Sequence, residues 1–475
     1  MTTTIANSPI TDESLHALFN AQMLHYPEAG KTSARERIAL LNQLEMALFT
    51  WRPRIHQALY KDFGKPPPEV DLVDIYYVLR EIRYARQHLR RWMKPQHVST
   101  PLAFFGSRAY VLHEAKGVCL LISPWNYPFN LTLGPLVSAL AAGCTAIVKP
   151  SEYTPHASAL MKEMLESMYP KDIVAIVEGD AHVSQQLLAM PFHHIFFTGS
   201  SHTGKIVMAA AAKTLASVTL ELGGKCPVVI DATANIERAA KRIVHTKFVN
   251  AGQTCIAPDY VLVHQSQHDA LIEAMRQTVE AFYPTSAHIE SDYCGIIHQH
   301  HLSRMQAFLE DAIERGARIV TGGEIVPGTC KLLPTILSHV PRSTRIMKKE
   351  IFGPILPVIP YLKTEQAIAL IQSIERPLGL YVFGHGKAIK ELMEGTRAGG
   401  SCINHCALNY YNPNLPFGGV NHSGIGKSHG YAGFLAFSNA RGIYKQTWPF
   451  TPLDWLHPPY TKAKQRLIDF TLKWL

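Results

Sequence analysis

The chain has 475 residues, of which 47% are hydrophobic and 17% are charged. This length exceeds what one compact core organises, so we expect two large domains with smaller appended segments. A formal net charge of +9 raises the question of a nucleic-acid partner. Because the basic and acidic residues are interleaved, without a basic run or a finger spacing, we expect no nucleic-acid binding.

The cysteines and histidines indicate neither a disulfide framework nor a metal site. Eight cysteines are scattered without a C-x-x-C pair, and the 24 histidines form no ligand motif, so no metal is expected. The N-terminus lacks the basic start and apolar core of a secretory signal. We therefore expect a cytoplasmic protein with reduced thiols.

Helical patterns fill residues 34–93, and prolines at 66–68 mark a junction between two of them. Residues 108–123 predict two paired strands joined by a turn at Lys116 and Gly117. Short apolar runs then alternate with amphipathic stretches, which predicts a parallel sheet covered on both faces. The predicted strands are 146–149, 173–177, 194–198 and 218–221, with helices at 156–168 and 201–215.

The same alternation resumes after Glu221 and predicts a second α/β domain. Its predicted strands are 227–230, 260–264, 318–321 and 355–359, with helices near 234–247, 266–282 and 300–315. A further strand is predicted at 442–446.

The last stretch, 448–475, has a different composition. Four prolines precede an amphipathic helix predicted at 462–475, with one broad apolar face. This helix has three possible roles. It packs on its own domain or on a partner subunit, it caps the substrate entrance, or it touches a membrane surface.

Two residues suggest covalent chemistry. Cys255 follows Gly252 in a stretch of small residues, where a substrate can approach the thiol closely. Glu221 precedes Gly223 and Gly224, whose freedom lets a carboxylate swing. The two are typical of a nucleophile and its base. The ordinary alternatives are a buried structural cysteine and a glutamate that caps a helix or pairs with Lys225.

Seven motifs follow one another in an order that resembles the NAD(P)-dependent aldehyde dehydrogenase superfamily. They are SPWNYP at 123–128, KPSE at 149–152, FTGS at 197–200, Glu221, Cys255, EIFGP at 350–354 and PFGGV at 416–420. The resemblance runs from about residue 30 to about residue 447. The residues around Cys255 and the short N-terminus most resemble the class 3 branch, which includes fatty and coniferyl aldehyde enzymes.

The resemblance implies a two-domain α/β aldehyde dehydrogenase fold. It has a Rossmann-like cofactor domain, an α/β catalytic domain and a small β element for oligomerisation or bridging. We place these as a cofactor-binding domain at 1–222 with a bridging hairpin at about 105–117, a catalytic domain at 223–405, a return segment and oligomerisation strand at 406–447, and a C-terminal arm at 448–475. The class 3 likeness also implies a homodimer.

The same resemblance implies the chemical roles. Cys255 adds to an aldehyde, Asn126 stabilises the oxyanion, and Glu221 activates the water that cleaves the thioester. The ordinary alternative for Asn126 is a turn residue between two prolines. The expected reaction is oxidation of an apolar, fatty or aromatic, aldehyde to its acid. Two rivals are a coenzyme A-acylating relative and a non-catalytic nucleotide-binding scaffold at membranes.

The cofactor residues also follow from the resemblance. A loop that opens a helix suits a pyrophosphate, and a carboxylate beside the adenosine ribose repels a 2′-phosphate, so NAD is favoured and NADP is possible. The residues expected to bind the cofactor are Trp125, Lys149, Glu152, Gly199, Ser200, Gly204, Glu350 and Phe352. Asn421 stands where the family usually has glycine, so a positive φ is possible there but less comfortable.

Overall fold

The computed structural model describes residues 11–474. Its helices are α1 (Asp12–Ala29), α2 (Ala34–Phe63), α3 (Pro67–Glu69), α4 (Tyr76–Trp92), α5 (Pro128–Ala142), α6 (Pro155–Glu166), α7 (Ala181–Leu188), α8 (Ser201–Thr214), α9 (Ile236–Phe248), α10 (His268–Phe282), α11 (Ser286–Asp292), α12 (Gln299–Glu314), α13 (Arg345–Lys348), α14 (Thr364–Gln372), α15 (Lys387–Gly395), α16 (Gly430–Ala436) and α17 (Lys462–Trp474). A π-helical turn spans Val70–Ile75.

The strands are β1 (Gln96–Val98), β2 (Ser107–Ala115), β3 (Val118–Ile122), β4 (Thr145–Lys149), β5 (Val174–Ile176), β6 (His194–Gly199), β7 (Ser217–Leu222), β8 (Pro227–Ile230), β9 (Tyr260–His264), β10 (Arg318–Thr321), β11 (Thr335–Ser338), β12 (Ile355–Tyr361), β13 (Gly379–Phe383), β14 (Gly400–Ile403), β15 (Gly424–Ile425) and β16 (Ser438–Gln446). The alternation of strands and helices predicted for 146–359 is confirmed, with element ends displaced by at most a few residues.

The strands form three sheets. A six-stranded sheet has the order β15-β7-β6-β3-β4-β5, and a seven-stranded sheet has the order β10-β11-β12-β9-β8-β13-β14. Both are parallel except at one edge, where β15 and β10 run antiparallel to their neighbours. The boundaries at 222/223 and 405/406 stay predictions. β15, from the return segment, joins the first sheet.

Apolar runs make the central strands because both faces of each sheet are covered. All five residues of β3 are buried, and they alternate between two cores. Cys119 and Leu121 pack into the larger core, whereas Val118, Leu120 and Ile122 pack into the smaller one. The period of two along a strand therefore supplies both helix layers with apolar contacts.

The expected pairing within 108–123 is wrong. β2 pairs with β1 and β16 in a three-stranded antiparallel sheet, whereas β3 pairs with β4 and β6 in the large parallel sheet. The antiparallel hairpin thus consists of β1 and β2 and begins at Gln96, not near residue 105. The turn at Lys116 and Gly117 passes the chain from one sheet to another, and Gly117 has a φ of 121°.

The predicted C-terminal helix forms, but it does not pack on a domain core. Leu467, Phe470 and Leu472 are 42%, 59% and 81% accessible, and Ile468 is half-buried. The helix contacts the short 3₁₀ turn Pro452–Leu456. Within residues 11–474, no helix combines the length and the apolar character that crossing a bilayer requires.

Candidate active site

Cys255 and Glu221 line the same cavity, which has a volume of about 30 Å³. Glu221 lies at the carboxyl end of β7, and Cys255 lies on the loop between α9 and β9. The remaining lining residues are Tyr77, Asn130, Leu131, Gly134, Pro135, Ser138, Phe196, Thr198, Tyr410, Phe417, Ser428 and His429. The wall is largely aromatic and aliphatic, which suits an apolar ligand.

A left-handed turn presents the Cys255 loop. Asn250, Ala251 and Gly252 have φ values of 55°, 49° and 72°. A Cβ at Gly252 would lie 2.4 Å from the carbonyl oxygen of Gly353, so only glycine fits there. The Gln253 side chain stabilises the turn by donating hydrogen bonds to the carbonyl oxygens of Asn250 and Gly295, both at 3.0 Å.

The structure brings Asn126 to this loop. Its side-chain Nδ2 donates to the carbonyl oxygen of Gln253 at 3.0 Å, and the residue is only 2% exposed. The next residue, Tyr127, shares a 2.5 Å hydrogen bond with the Thr254 hydroxyl. The Asn126 amide is thus held at the loop that carries Cys255. A role confined to the turn between Pro124 and Pro128 does not explain this contact.

The thiol of Cys255 is not activated by its surroundings. Burial raises its pKa to about 12, and the carboxylates of Glu350 and Glu221 act in the same direction. A thiolate can form through a lowered pKa or with a nearby base, and the pKa of Cys255 is raised, not lowered.

Glu221 is buried, and only one of its two carboxylate oxygens has a hydrogen-bond partner. Its Oε1 accepts a 2.8 Å hydrogen bond from the Ser428 hydroxyl, while Oε2 is buried without a partner. Burial raises the pKa of Glu221 to about 8, although the Ser428 hydrogen bond and the charge of Lys427 lower it. A pairing of Glu221 with Lys225 is wrong, because Lys225 binds Asp259 instead.

Glu350 and Phe352 lie on one loop but face different neighbours. A Cβ added to Gly223 would lie 2.2 Å from Glu350 Oε2, so the Gly223 backbone closely approaches the carboxylate. Phe352 packs edge-on against Trp125, with ring centroids 5.5 Å apart. Burial raises the pKa of Glu350 to about 7.

The predicted adenosine-side residues lie at the carboxyl ends of β4 and β6. Lys149 Nζ binds Glu152 Oε2 at 2.8 Å. Ser200 is the N-cap of α8 and accepts from the Thr203 N–H at 3.2 Å. A Cβ at Gly204 would lie 2.7 Å from Leu222, so close helix–sheet packing requires this glycine.

These residues fit a bound dinucleotide. Beside Trp125 and Glu350, His301 Nδ1 and Arg304 Nε are buried without partners, which leaves polar atoms open to a ligand. A crevice of about 570 Å³ is lined by Ser201, Gly223 and Glu350 and by several basic residues, which suits an anion. Those basic residues are Lys225, Arg342, Lys348, Lys349 and Arg376. Of the eight residues expected to bind the cofactor, only Glu350 lines this crevice. The other seven lie outside it, namely Trp125, Lys149, Glu152, Gly199, Ser200, Gly204 and Phe352.

Sequence reasoning missed several residues at the site. Ser428 and His429 lie 207 and 208 positions after Glu221, and no local pattern marks them. His429 is buried, stacks on Phe417 at 4.7 Å and has a φ of 72°. Burial lowers the pKa of His429 to about 3, so it is neutral at physiological pH. At Asn421 a positive φ of 57° is observed.

Comparison with known proteins gives a consistent result. Residues 3–443 match the model of the family described as "Aldehyde dehydrogenase family". A Pseudomonas aeruginosa protein named "Probable coniferyl aldehyde dehydrogenase" is 39% identical, over 96% of this chain and 95% of the relative. A 4,4′-diaponeurosporen-aldehyde dehydrogenase of Staphylococcus aureus is 41% identical, over 86% of this chain and 88% of the relative.

A solved structure of Staphylococcus aureus AldH in its substrate-bound state has the same fold. It is 38% identical, with a TM-score of 0.92 over 96% of this chain and 99% of the other. The expected two-domain α/β fold with a Rossmann-like sheet is thereby confirmed. The relatives favour aldehyde oxidation over the coenzyme A-acylating and non-catalytic alternatives. This chain belongs to the aldehyde dehydrogenase family and is an NAD(P)-dependent oxidoreductase.

Proposed function

We propose that Cys255 is the nucleophile of the aldehyde oxidation. Its sulfur bonds to the carbonyl carbon, and the Asn126 amide donates to the oxygen that becomes negative. A bound dinucleotide would accept the hydride that leaves the adduct, and Cys255 would then carry the acyl group as a thioester. Water then attacks the thioester, the carboxylic acid leaves, and the thiol is restored. The observation that carries this proposal is the single cavity lined by Cys255 and Glu221.

Glu221 is the general base in this scheme. Its pKa of about 8 lies close to neutral pH, where a base both accepts and returns protons efficiently. The attacking water loses its proton to Glu221 as the thioester is cleaved. Because the resting thiol has a pKa of about 12, the same carboxylate is also the candidate acceptor for the Cys255 proton.

A bound dinucleotide would be held by the residues predicted for it. Ser200, Gly199 and Gly204 would offer the start of α8 to the pyrophosphate, and Lys149 and Glu152 would hold the adenosine ribose. Glu350 would bind the nicotinamide ribose, beside Phe352 and Trp125. A carboxylate at Glu152, already paired with Lys149, favours NAD and leaves NADP usable.

The substrate is an apolar aldehyde, aromatic or aliphatic. The cavity beside Cys255 is lined by four aromatic residues, Tyr77, Phe196, Tyr410 and Phe417. Burial of an apolar substrate chain or ring against these side chains is favourable. Two relatives are named for coniferyl aldehyde and for 4,4′-diaponeurosporen-aldehyde. The names support the same choice of substrate.

The test combines one variant with a substrate panel. Cys255→Ala should lose aldehyde-dependent NADH formation by several orders of magnitude while still binding NAD. Aliphatic aldehydes of increasing length and cinnamyl-type aldehydes are then compared with NAD and NADP, without coenzyme A. Full turnover by Cys255→Ala, or the highest kcat/KM for short polar aldehydes, would overturn the respective part of the proposal.

We further propose a homodimer joined through β16. This strand is at the edge of its sheet, and among the described residues no strand pairs with its other side. An open edge of this length is a template for pairing with a second chain. Light scattering after size-exclusion chromatography checks this proposal, and a particle of 52.9 kDa would contradict it.

We also propose that this cytoplasmic enzyme contacts an anionic membrane surface peripherally, through its C-terminal arm. Trp455, Phe470 and Leu472 are exposed, and α17 carries Lys462, Lys464, Arg466 and Lys473 against a single acidic residue, Asp469. Exposed apolar groups beside basic ones match the requirements of a lipid surface. The chain should co-sediment with phosphatidylglycerol-containing vesicles, and Phe470→Ser/Leu472→Ser should release it. Equal recovery of the two proteins would refute the contact.

A further inference from the structure

A fully buried ion pair lies beside the candidate active site. Lys65 follows α2, and Asp74 lies in the π-helical turn Val70–Ile75. Neither side chain has exposed surface, and Lys65 Nζ donates to Asp74 Oδ2 at 2.8 Å. No sequence motif marks either residue.

The fold itself gains little from such a pair. Moving two charges out of water is costly, and replacing a buried pair by apolar residues of similar volume is often neutral or stabilising. Methionine and leucine would fill the same space within this part of the core. The reason for the charges therefore has to be sought in the groups that they contact.

One further contact of Lys65 is the backbone of Asn126. Lys65 Nζ donates to the Asn126 carbonyl oxygen at 3.1 Å. Asn250 Nδ2 donates to the same oxygen at 3.0 Å, and to the carbonyl of Gln253 at 3.1 Å. Two donors from different parts of the chain thus fix the peptide group that follows the Asn126 side chain.

The Lys65–Asp74 pair also contacts residues that bind the loop of Cys255 or line the cavity. Lys65 Nζ lies 4.2 Å from the ring centroid of Tyr127, whose hydroxyl bonds Thr254, the residue before Cys255. Asp74 Oδ1 accepts from the Asn130 N–H at 3.4 Å, and Asn130 lines the cavity. The ion pair therefore touches both the Asn126–Asn130 segment and the surroundings of the nucleophile.

We propose that Lys65 is a positioning residue for the oxyanion site. Held by Asp74, it fixes the Asn126 carbonyl and thereby aims the Asn126 amide at the substrate oxygen. This inference rests on the oxyanion role proposed above for Asn126. It assigns to Lys65 an effect on kcat through Asn126, without an effect on cofactor binding.

The test replaces the pair without leaving a buried charge. In Lys65→Met/Asp74→Leu, kcat should fall about 10- to 100-fold, because a displacement of about 1 Å in a positioned group costs up to that factor. The Kd for NAD should stay near the unmodified value. Adding Asn126→Ala to this variant should cost no more than Asn126→Ala alone, since Lys65 acts through that residue.

A matched control exists on the same elements. Arg52 of α2 binds Asp71 of the π-helical turn at the surface, with no contact to Asn126. Arg52→Met/Asp71→Leu should therefore leave kcat unchanged. Should Lys65→Met/Asp74→Leu not fold, Lys65→Gln/Asp74→Asn replaces it, and unfolding of both variants would assign the pair to stability and overturn the inference.

The outcomes separate this inference from the proposed reaction. If Asn126→Ala turns over normally, the oxyanion role of Asn126 fails and the inference falls with it. If Asn126→Ala is impaired but Lys65→Met/Asp74→Leu is fully active, only the inference is wrong. Multiplicative losses in the triple variant would likewise overturn the link between Lys65 and Asn126.

Discussion

The Ser428 hydroxyl donates a 2.8 Å hydrogen bond to Glu221 Oε1 and thereby holds the proposed base within the cavity that both residues line. Because a hydrogen bond to a carboxylate favours its ionised form, Ser428 lowers a pKa that burial has raised to about 8. In Ser428→Ala the apparent pKa of the deacylation step should rise, so activity develops at higher pH. Single-turnover thioester hydrolysis measured across pH 6–10 checks this direction.

The control for this variant is Ser438→Ala. Ser438 is also buried, but its hydroxyl donates to the Phe434 carbonyl and has no hydrogen bond to Glu221. Its pH profile should match that of the unmodified enzyme. A profile of Ser428→Ala that is unchanged or moved to lower pH would contradict the assigned effect of the hydrogen bond.

Glu221 should also make stability depend on pH. Its pKa is raised from an ordinary value of 4.5 to about 8, so the folded state binds the proton more tightly than the unfolded state. The contribution of Glu221 to the free energy of unfolding is fully present below about pH 4.5 and is lost as the pH rises to about 8. The thermal midpoint of Glu221→Gln should therefore exceed that of the unmodified chain by more at pH 9 than at pH 5. The exposed Glu237→Gln serves as a reference, and a difference that shrinks with pH would be the wrong sign.

Glu152 should set the cofactor preference. Removing its charge in Glu152→Gln removes the repulsion of a 2′-phosphate and leaves Lys149 to attract it. The ratio of kcat/KM for NADP over NAD should rise about tenfold, equivalent to about 1.4 kcal/mol. Glu166→Gln, from a surface pair with Lys171, should leave the ratio unchanged. A ratio that falls in Glu152→Gln would exclude this carboxylate as the discriminating group.

Leu131 should contribute to the recognition of apolar aldehydes, since it lines the cavity beside Cys255. Truncation in Leu131→Ala should raise KM for octanal about tenfold, the usual effect of lost apolar contact, and leave KM for acetaldehyde nearly unchanged. Leu131→Met keeps the volume and should behave like the unmodified enzyme. Steady-state kinetics with both aldehydes provide the measurement, and an equal change for both would argue against a contact with the substrate chain.

The period of the apolar residues was sufficient to locate most elements, because strands buried on both faces differ plainly from amphipathic helices. The ends predicted for the strands at 227–230 and 260–264 agree with β8 and β9. Pairing was harder to predict. β2 and β3 are adjacent in sequence and both are extended, yet β2 pairs with β16, more than 300 positions later.

The residues with chemical side chains in recognisable motifs could be named from the sequence. Cys255 and Glu221 line one cavity, and Asn126 binds the loop that carries Cys255, while their roles stay predictions. Residues that hold them could not be named in this way. Ser428, Lys65 and Asp74 act through hydrogen bonds to residues 207, 61 and 56 positions away, and such bonds leave no local pattern. The raised pKa of Cys255 depends on burial by the whole fold, so it also lies beyond motif reasoning.

The return of residues 416–430 to the first sheet has a consequence for biosynthesis. β15 pairs with β7 at Glu221, and Ser428 follows it, so the surroundings of the base include a segment made late in translation. A nascent chain released after β14 would include Cys255 and the loop before α8. It would lack β15 and Ser428, which contact β7 and Glu221. Premature termination in that interval should therefore yield a polypeptide without hydrolytic turnover, rather than a slower enzyme.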